Sequence, residues 1–251
     1  MGFLDRFSAG FEIVKGSMTL DWTLYPFLIS LLFFTFFIGT FVVLVLSIIY
    51  FMRYAVIFFV LMLLAILLVR PLYHLVISKW ALKKAGLEPK KITLGRLFWY
   101  SMVTYSGSYF VKSVGLSEGT LSQEILKLGW FYFRYFLPMS FLITDTPSKA
   151  VEEALKASSK VYQEIAISAF SLKVILASLI VFSLGIIIAS YYIYPSVIIF
   201  LIVLSVTFII SFLFYYSLNL VVSSRLFAYS NNSDTSVLKD IKVALNKLGV
   251  V

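Results

Sequence analysis

The sequence predicts an all-α fold, a polytopic transmembrane bundle of six spans with amphipathic helices lying on its inner face. Three observations predict it. Of 251 residues, 61% are hydrophobic and only 13% charged, with a mean hydropathy of +0.98, whereas a soluble domain carries about 45–50% apolar and about 25% charged residues. No charge occurs between Asp21 and Arg53, nor between Lys173 and Arg225. A helix rises about 1.5 Å per residue and the hydrocarbon core is about 30 Å thick, so the second run is long enough to cross twice. The third observation is the net charge of +9, from 21 Lys and Arg against 12 Asp and Glu. Most of that excess lies in short connections between apolar segments, as expected of basic residues held on the cytoplasmic side near anionic headgroups.

The whole chain, 1–251, reads as one membrane domain. Over residues 1–20, Phe3, Leu4, Phe7, Phe11, Val14 and Met18 recur at three- and four-residue spacing, with Asp5, Arg6, Glu12 and Lys15 elsewhere around the helix. This amphipathic helix lies in the headgroup layer or packs under the bundle. The first span covers about 24–50, a turn at Phe51-Met52-Arg53-Tyr54 reverses the chain, and the second span covers about 55–77. Arg70 and His74 fall toward its far end, where a long side chain snorkels.

Residues 97–116 and 125–144 have spanning length but are more polar, the first holding Lys112 and many hydroxyls, the second Lys127, Arg134 and Pro138. Charge placement makes them the third and fourth spans. With six crossings and both termini cytoplasmic, the clusters at Lys79–Arg96, Lys149–Lys160 and Arg225–Lys247 all face inward. Five crossings export the last two, against the positive-inside bias. Trp22, Trp80 and Trp99 then fall at inner interfaces and Trp130 near an outer one.

After the fourth span, Thr146 as N-cap and Pro147 as first helical residue open an amphipathic helix over 147–165, with Val151, Ala154, Leu155, Val161 and Ile165 on its apolar face. The fifth and sixth spans, about 170–193 and 196–222, turn at Tyr191-Tyr192-Ile193-Tyr194-Pro195-Ser196, where interfacial tyrosines meet a proline. A last amphipathic helix covers 234–248, with Val237, Leu238, Ile241, Ala244, Leu245 and Leu248 on one face.

Composition also limits the chemistry. With no cysteine there is no disulfide framework, thiolate metal site or cysteine nucleophile, and a single histidine, His74, rules out bis-histidine haem ligation from this chain alone. No carboxylate lies near the middle of a crossing, which argues against a carboxylate proton relay. No P-loop, dinucleotide fingerprint, H-E-x-x-H or G-x-S-x-G occurs. The expectation is a non-enzymatic protein of the cell membrane with no catalytic residues, no metal, no cofactor and no nucleic-acid partner.

The intramembrane charges are all positive: Arg70, Lys112 and Arg134. Arg134 sits near mid-depth, with Pro138 removing the hydrogen bond that would end on its carbonyl. Ser101, Tyr105, Ser108 and Lys112 form one polar stripe, and Gly107 permits close approach of a neighbour. Two readings stand. In one, these residues line a cationic, hydroxyl-rich cleft between the third and fourth spans that holds an anionic lipid headgroup or an amphiphilic substrate. In the other, Arg70 and Lys112 snorkel and Arg134 bonds backbone carbonyls or an acid on a partner subunit.

Three stretches carry a resemblance: "FSAGFEIVKGSMTLDWTLYPFLIS", "YFLPMSFLITDTPSKAVEEALKASSKVYQEI" and "SRLFAYSNNSDTSVLKDIKVALNKL". Together they resemble an uncharacterised family of six-span prokaryotic, often archaeal, integral membrane proteins, distantly similar to the membrane domain of glycerophosphodiester phosphodiesterases. The resemblance implies architecture and transfers no catalytic residue. The functional expectation is a lipid-binding accessory or scaffold subunit of a larger membrane complex, its partners being anionic membrane lipids and other membrane subunits. The alternative is a small transporter or flippase-like protein for an anionic amphiphile, working through the cationic cleft.

Overall fold

The computed structural model describes residues 3–50, 55–114, 121–193, 195–231, 241 and 243. Among them every extended element is helical: α1 (Phe3–Ser17), α2 (Leu20–Tyr50), α3 (Ala55–Lys84), α4 (Leu94–Val114), α5 (Leu121–Ile143), α6 (Pro147–Lys160), α7 (Tyr162–Ile193) and α8 (Val197–Asn231). The expected turn at Phe51–Tyr54 and nearly all of the expected helix over 234–248 lie outside the described residues.

Three helices among the described residues are long and apolar enough to cross a membrane, Leu20–Ile49 within α2, Tyr162–Ile193 and Val197–Asn231. That is fewer than the six expected from the sequence. α3, α4 and α5 each contain positions whose side chains lie outside the described residues, and the described apolar stretch of α5 is Phe133–Ile143.

The helices overrun the apolar segments that mark them. α2 starts at Leu20 rather than near 24, α3 runs on to Lys84 rather than 77, α7 starts at Tyr162 rather than 170, and α8 reaches Asn231 rather than 222. Hydropathy records the hydrocarbon slab, while the backbone ladder continues wherever the helix ends are covered by protein. The 35 residues of α8 make a rod about 52 Å long, against a hydrocarbon core of about 30 Å. The amphipathic helix expected over 147–165 is cut at Val161, whose φ of −129° and ψ of 32° leave the helical region, and residues from Tyr162 onward join α7.

The core gathers at the end of the bundle where α1 and α6 sit. Ile13, Leu75, Leu82, Phe136, Leu137, Leu142, Ala154, Ile165, Leu172, Val221 and Phe227 are all fully buried there. At the opposite ends of α2, α3, α7 and α8 large apolar side chains stand uncovered, as with Ile49, Val56, Phe182 and Ile198 at 64–72% exposure, a surface suited to lipid tails and not to water. α8 is central, packing on α7, α2, α3 and α5.

α1 packs under α7 and α8, burying Ala9, Ile13 and Val14. Gly10 permits the approach: a Cβ there would lie 2.2 Å from Ile167 Cγ2 and 2.9 Å from the Ile167 carbonyl oxygen. Thr146 caps α6 with Pro147 at its first turn, and α6 buries Ala150, Ala154 and Ala157. Leu155, expected on the buried face, is 53% exposed. The small side chains let α6 lie close against α5.

Side chains tie the same ends together. Lys84 donates to the Asp21 carbonyl and lies 4.9 Å from the Trp22 ring centroid and 5.2 Å from that of Trp80. The Lys90 amide bonds the Leu142 carbonyl at 2.7 Å, its ammonium pairs with Asp145, and Arg96 donates to the Phe141 carbonyl at 3.1 Å. Lys160 reaches the Ser230 carbonyl at 3.1 Å.

Candidate functional site

Above this core, five helices enclose a cavity of about 530 Å³. α3 contributes Arg70, Pro71 and His74, α4 contributes Tyr100, Thr104, Tyr105 and Ser108, and α5 contributes Arg134, Tyr135 and Pro138. α7 adds Ala169 and Lys173, and α8 adds Tyr215, Tyr216, Asn219, Leu220 and Ser223. Helical rise fixes its distance from the helix ends: Arg70 stands fourteen residues before the end of α3 and Tyr216 fifteen before the end of α8, or roughly 20 Å from the C-terminal ends of those helices.

Each wall has a local cause. On α3, Arg70 and His74 are four residues apart and share a face, as do Tyr216, Asn219 and Ser223 on α8. Pro71 and Pro138 leave the carbonyls of Leu67 and Arg134 without their helical donors. Gly107 of α4 receives α5, since a Cβ there would meet Trp130 Cη2 at 1.9 Å. α5 and α7 face each other across the cavity instead of packing along their lengths.

The uncharged lining groups largely satisfy one another. His74 Nδ1 lies 2.7 Å from the Tyr100 hydroxyl and Nε2 3.0 Å from that of Tyr216; a neutral imidazole donates through one nitrogen and accepts through the other. Tyr135 donates to Asn219 Oδ1 at 2.7 Å. Tyr73, behind this wall, stacks on Tyr216 with centroids 5.7 Å apart and bonds Ser30 at 2.7 Å. The histidine is thereby a fixed strut between two tyrosines.

Around that frame stand three cations, Arg70, Arg134 and Lys173, with exposed side chains. No aspartate or glutamate is among the described lining residues. No counterion to this charge lies among the described lining residues, and the hydroxyls of Tyr105, Ser108 and Tyr215 add donors. Such a site attracts an anion, most strongly one with several acceptor oxygens, because guanidinium groups bond oxyanions in pairs. No group of three or more His, Cys, Asp or Glu side chains suited to a metal occurs among the described residues.

The sequence nominates Arg134, Lys112, Ser101, Tyr105, Ser108 and Arg70. The structure brings Arg134, Tyr105, Ser108 and Arg70 to this one cavity. Ser101 does not line it: the residue is 8% exposed and its hydroxyl bonds the Leu97 carbonyl of its own helix at 2.7 Å. The side chain of Lys112 lies outside the described residues. Sequence reasoning placed His74 toward the far end of the second span without making it a site residue, and it passed over Lys173 and the α8 tyrosines. The signal for α8 was available in the spacing of Tyr216, Asn219 and Ser223; none singled out Lys173, which sits at the border of an apolar run.

A second ionic centre lies where α4 begins and α5 ends, outside the apolar segments. The hydrogen bond and charge of Lys90 hold the Asp145 carboxyl below the usual carboxylate range, with Arg96, 3.9 Å away, and Lys149 acting in the same direction. Comparison with known protein families, with characterised proteins and with solved structures finds no match to this chain.

Proposed function

We propose that this chain is a non-enzymatic integral membrane protein that binds the anionic headgroup of a lipid in the five-helix cavity, acting as a lipid-binding accessory or scaffold component. The observation that carries the reading is the convergence of Arg70, Arg134 and Lys173 on one cavity whose described lining holds no carboxylate. Uncompensated cations at membrane depth are costly, and an anionic headgroup offsets that cost. The reading rests on the cavity and not on the family resemblance.

Six crossings with both termini cytoplasmic belong to the same proposal. The 21 residues of α4 and 23 of α5 give about 31 and 34 Å, enough for the hydrocarbon core. The ties among Lys84, Lys90, Arg96, Asp145 and Lys160 support placing the end of α3, the start of α4, the end of α5 and α6 on one side. Because the chain has no cysteine, Lys91→Cys and Ser196→Cys report topology directly. They should react with an impermeant maleimide from opposite faces of sealed vesicles, and labelling from the same face would refute six crossings.

Lipid binding is tested by native mass spectrometry from a mild detergent. Wild type should retain anionic lipid and Arg134→Leu should lose it, whereas equal retention removes the headgroup reading. Transport of an anionic amphiphile is the second reading, favoured by Pro71 and Pro138, which interrupt the backbone ladder of two walls beside the cations. Protein-dependent movement of a labelled anionic lipid between leaflets would select it.

A further inference from the structure

A second space adjoins the cationic cavity. It has a volume of about 470 Å³, lies between α2, α3 and α8, and is walled by Phe33, Phe34, Phe37, Val69, Phe212 and Leu213. Its polar members are few and largely committed: Ser30 and Tyr73 bond each other at 2.7 Å. The remaining two, Arg70 and Tyr216, also line the cationic cavity. The two spaces thus lie on either side of the α3–α8 contact and meet at this pair. One is rich in cations and hydroxyls, the other in aromatic and aliphatic carbon.

We propose that the ligand is a lipid with a phosphate-monoester head, the phosphate seated among Arg70, Arg134 and Lys173 and an acyl or prenyl chain leaving past Arg70 and Tyr216 into the aromatic groove. This rests on the headgroup reading above and adds both the head's charge and the chain's path. A phosphodiester brings a single negative charge to three cations. A phosphate monoester brings about 1.5 to 2 negative charges near neutral pH and three strong acceptor oxygens, a closer match to two guanidinium forks and an ammonium. A free phosphate satisfies the cations and leaves the groove unused. A monoester lipid occupies both, because burying chain carbon in an apolar groove adds affinity in proportion to the area covered.

The experiment uses the full chain in a non-ionic detergent, titrated with three probes: phosphatidic acid, phosphatidylglycerol with identical chains, and inorganic phosphate. Wild type should bind phosphatidic acid about tenfold more tightly than phosphatidylglycerol, the effect of one additional charge-assisted contact. Arg134→Gln should weaken phosphatidic acid and phosphate together. Val69→Phe, which fills the groove, should weaken phosphatidic acid while leaving phosphate unchanged. Phosphatidic acids of decreasing chain length measure the groove on unaltered protein, and affinity should fall toward that of phosphate as the chain shortens. Equal affinity for the two lipids overturns the monoester assignment. Binding of phosphate and lipid with equal strength at every chain length overturns the groove and leaves the headgroup site standing. Absence of binding by all three probes overturns the headgroup site as well.

Discussion

Replacing Gly10 with alanine tests whether α1 is a docked part of the bundle. The new Cβ would stand 2.2 Å from Ile167 Cγ2, 2.7 Å from Ser171 Oγ and 2.9 Å from the Ile167 carbonyl oxygen. Rotamer changes relieve the first two contacts. The third is backbone, so α1 has to shift against α7. Overpacking of this kind costs about 1–3 kcal/mol, and removing a glycine from a helix returns about 1 kcal/mol, a net loss of up to about 2 kcal/mol. Full undocking would expose Ala9, Ile13 and Val14 at about 1.5–3 kcal/mol for each large side chain, so a local shift is the cheaper response. Gly39 and Gly185 provide the control, because a Cβ at either meets nothing within 4 Å. Alanine there should be neutral or stabilising by up to about 1 kcal/mol. Thermal unfolding in one detergent, with limited proteolysis to report release of α1, should place Gly10→Ala below wild type and the controls at or above it. If Gly10→Ala unfolds together with Gly39→Ala, α1 is not packed as described.

Three further outcomes are expected. Arg225, 1% exposed, donates to Ser17 Oγ at 2.7 Å and lies 5.0 Å from the Trp22 ring centroid; Arg225→Leu should destabilise by about 3 kcal/mol, seen as early loss of tryptophan fluorescence on heating. His74→Phe strips the Tyr100 and Tyr216 hydroxyls of their shared partner and should cost about 2–3 kcal/mol, with His74→Gln recovering part of it in the same melting assay. The Asp145 carboxyl titrates below its ordinary value because of Lys90, so its contribution is complete above the unfolded value of about 3.9 and is lost as pH falls through the lower folded value. Asp145→Asn should remove that acid-side loss from a pH series of melting temperatures, and an unchanged series would dismiss the ion pair as a contributor.

Much of the architecture is legible in the residues because it follows from one-dimensional quantities. Charge-free runs longer than the hydrocarbon is thick mark α2, α7 and α8, and the Thr146-Pro147 pair marks the start of α6. Helix ends are less legible, since Lys79–Lys84 look like connection and Tyr162–Ile165 like the tail of the preceding amphipathic helix, yet the first belong to α3 and the second to α7, where other helices cover them. The same holds within the cavity. Arg134 and Arg70 stand out as charges in apolar stretches, but Ser101 and Ser108 differ only in the direction each faces. That difference sends one hydroxyl to its own backbone and the other into the cavity.

By itself the sequence determined that this is a helical membrane protein, that its basic residues cluster outside the charge-free runs, and that it carries cations in apolar stretches with no carboxylate near their middle. Composition and spacing suffice for these, because the bilayer imposes a solvent and a thickness on every segment separately. Only the tertiary structure decided that Arg70, Arg134 and Lys173, from three helices, share one cavity, that His74 is a strut between two tyrosines, and that an aromatic groove opens on the far side of Arg70 and Tyr216. Those facts depend on how helices distant in the chain rotate and pack against one another, and no local pattern records that rotation.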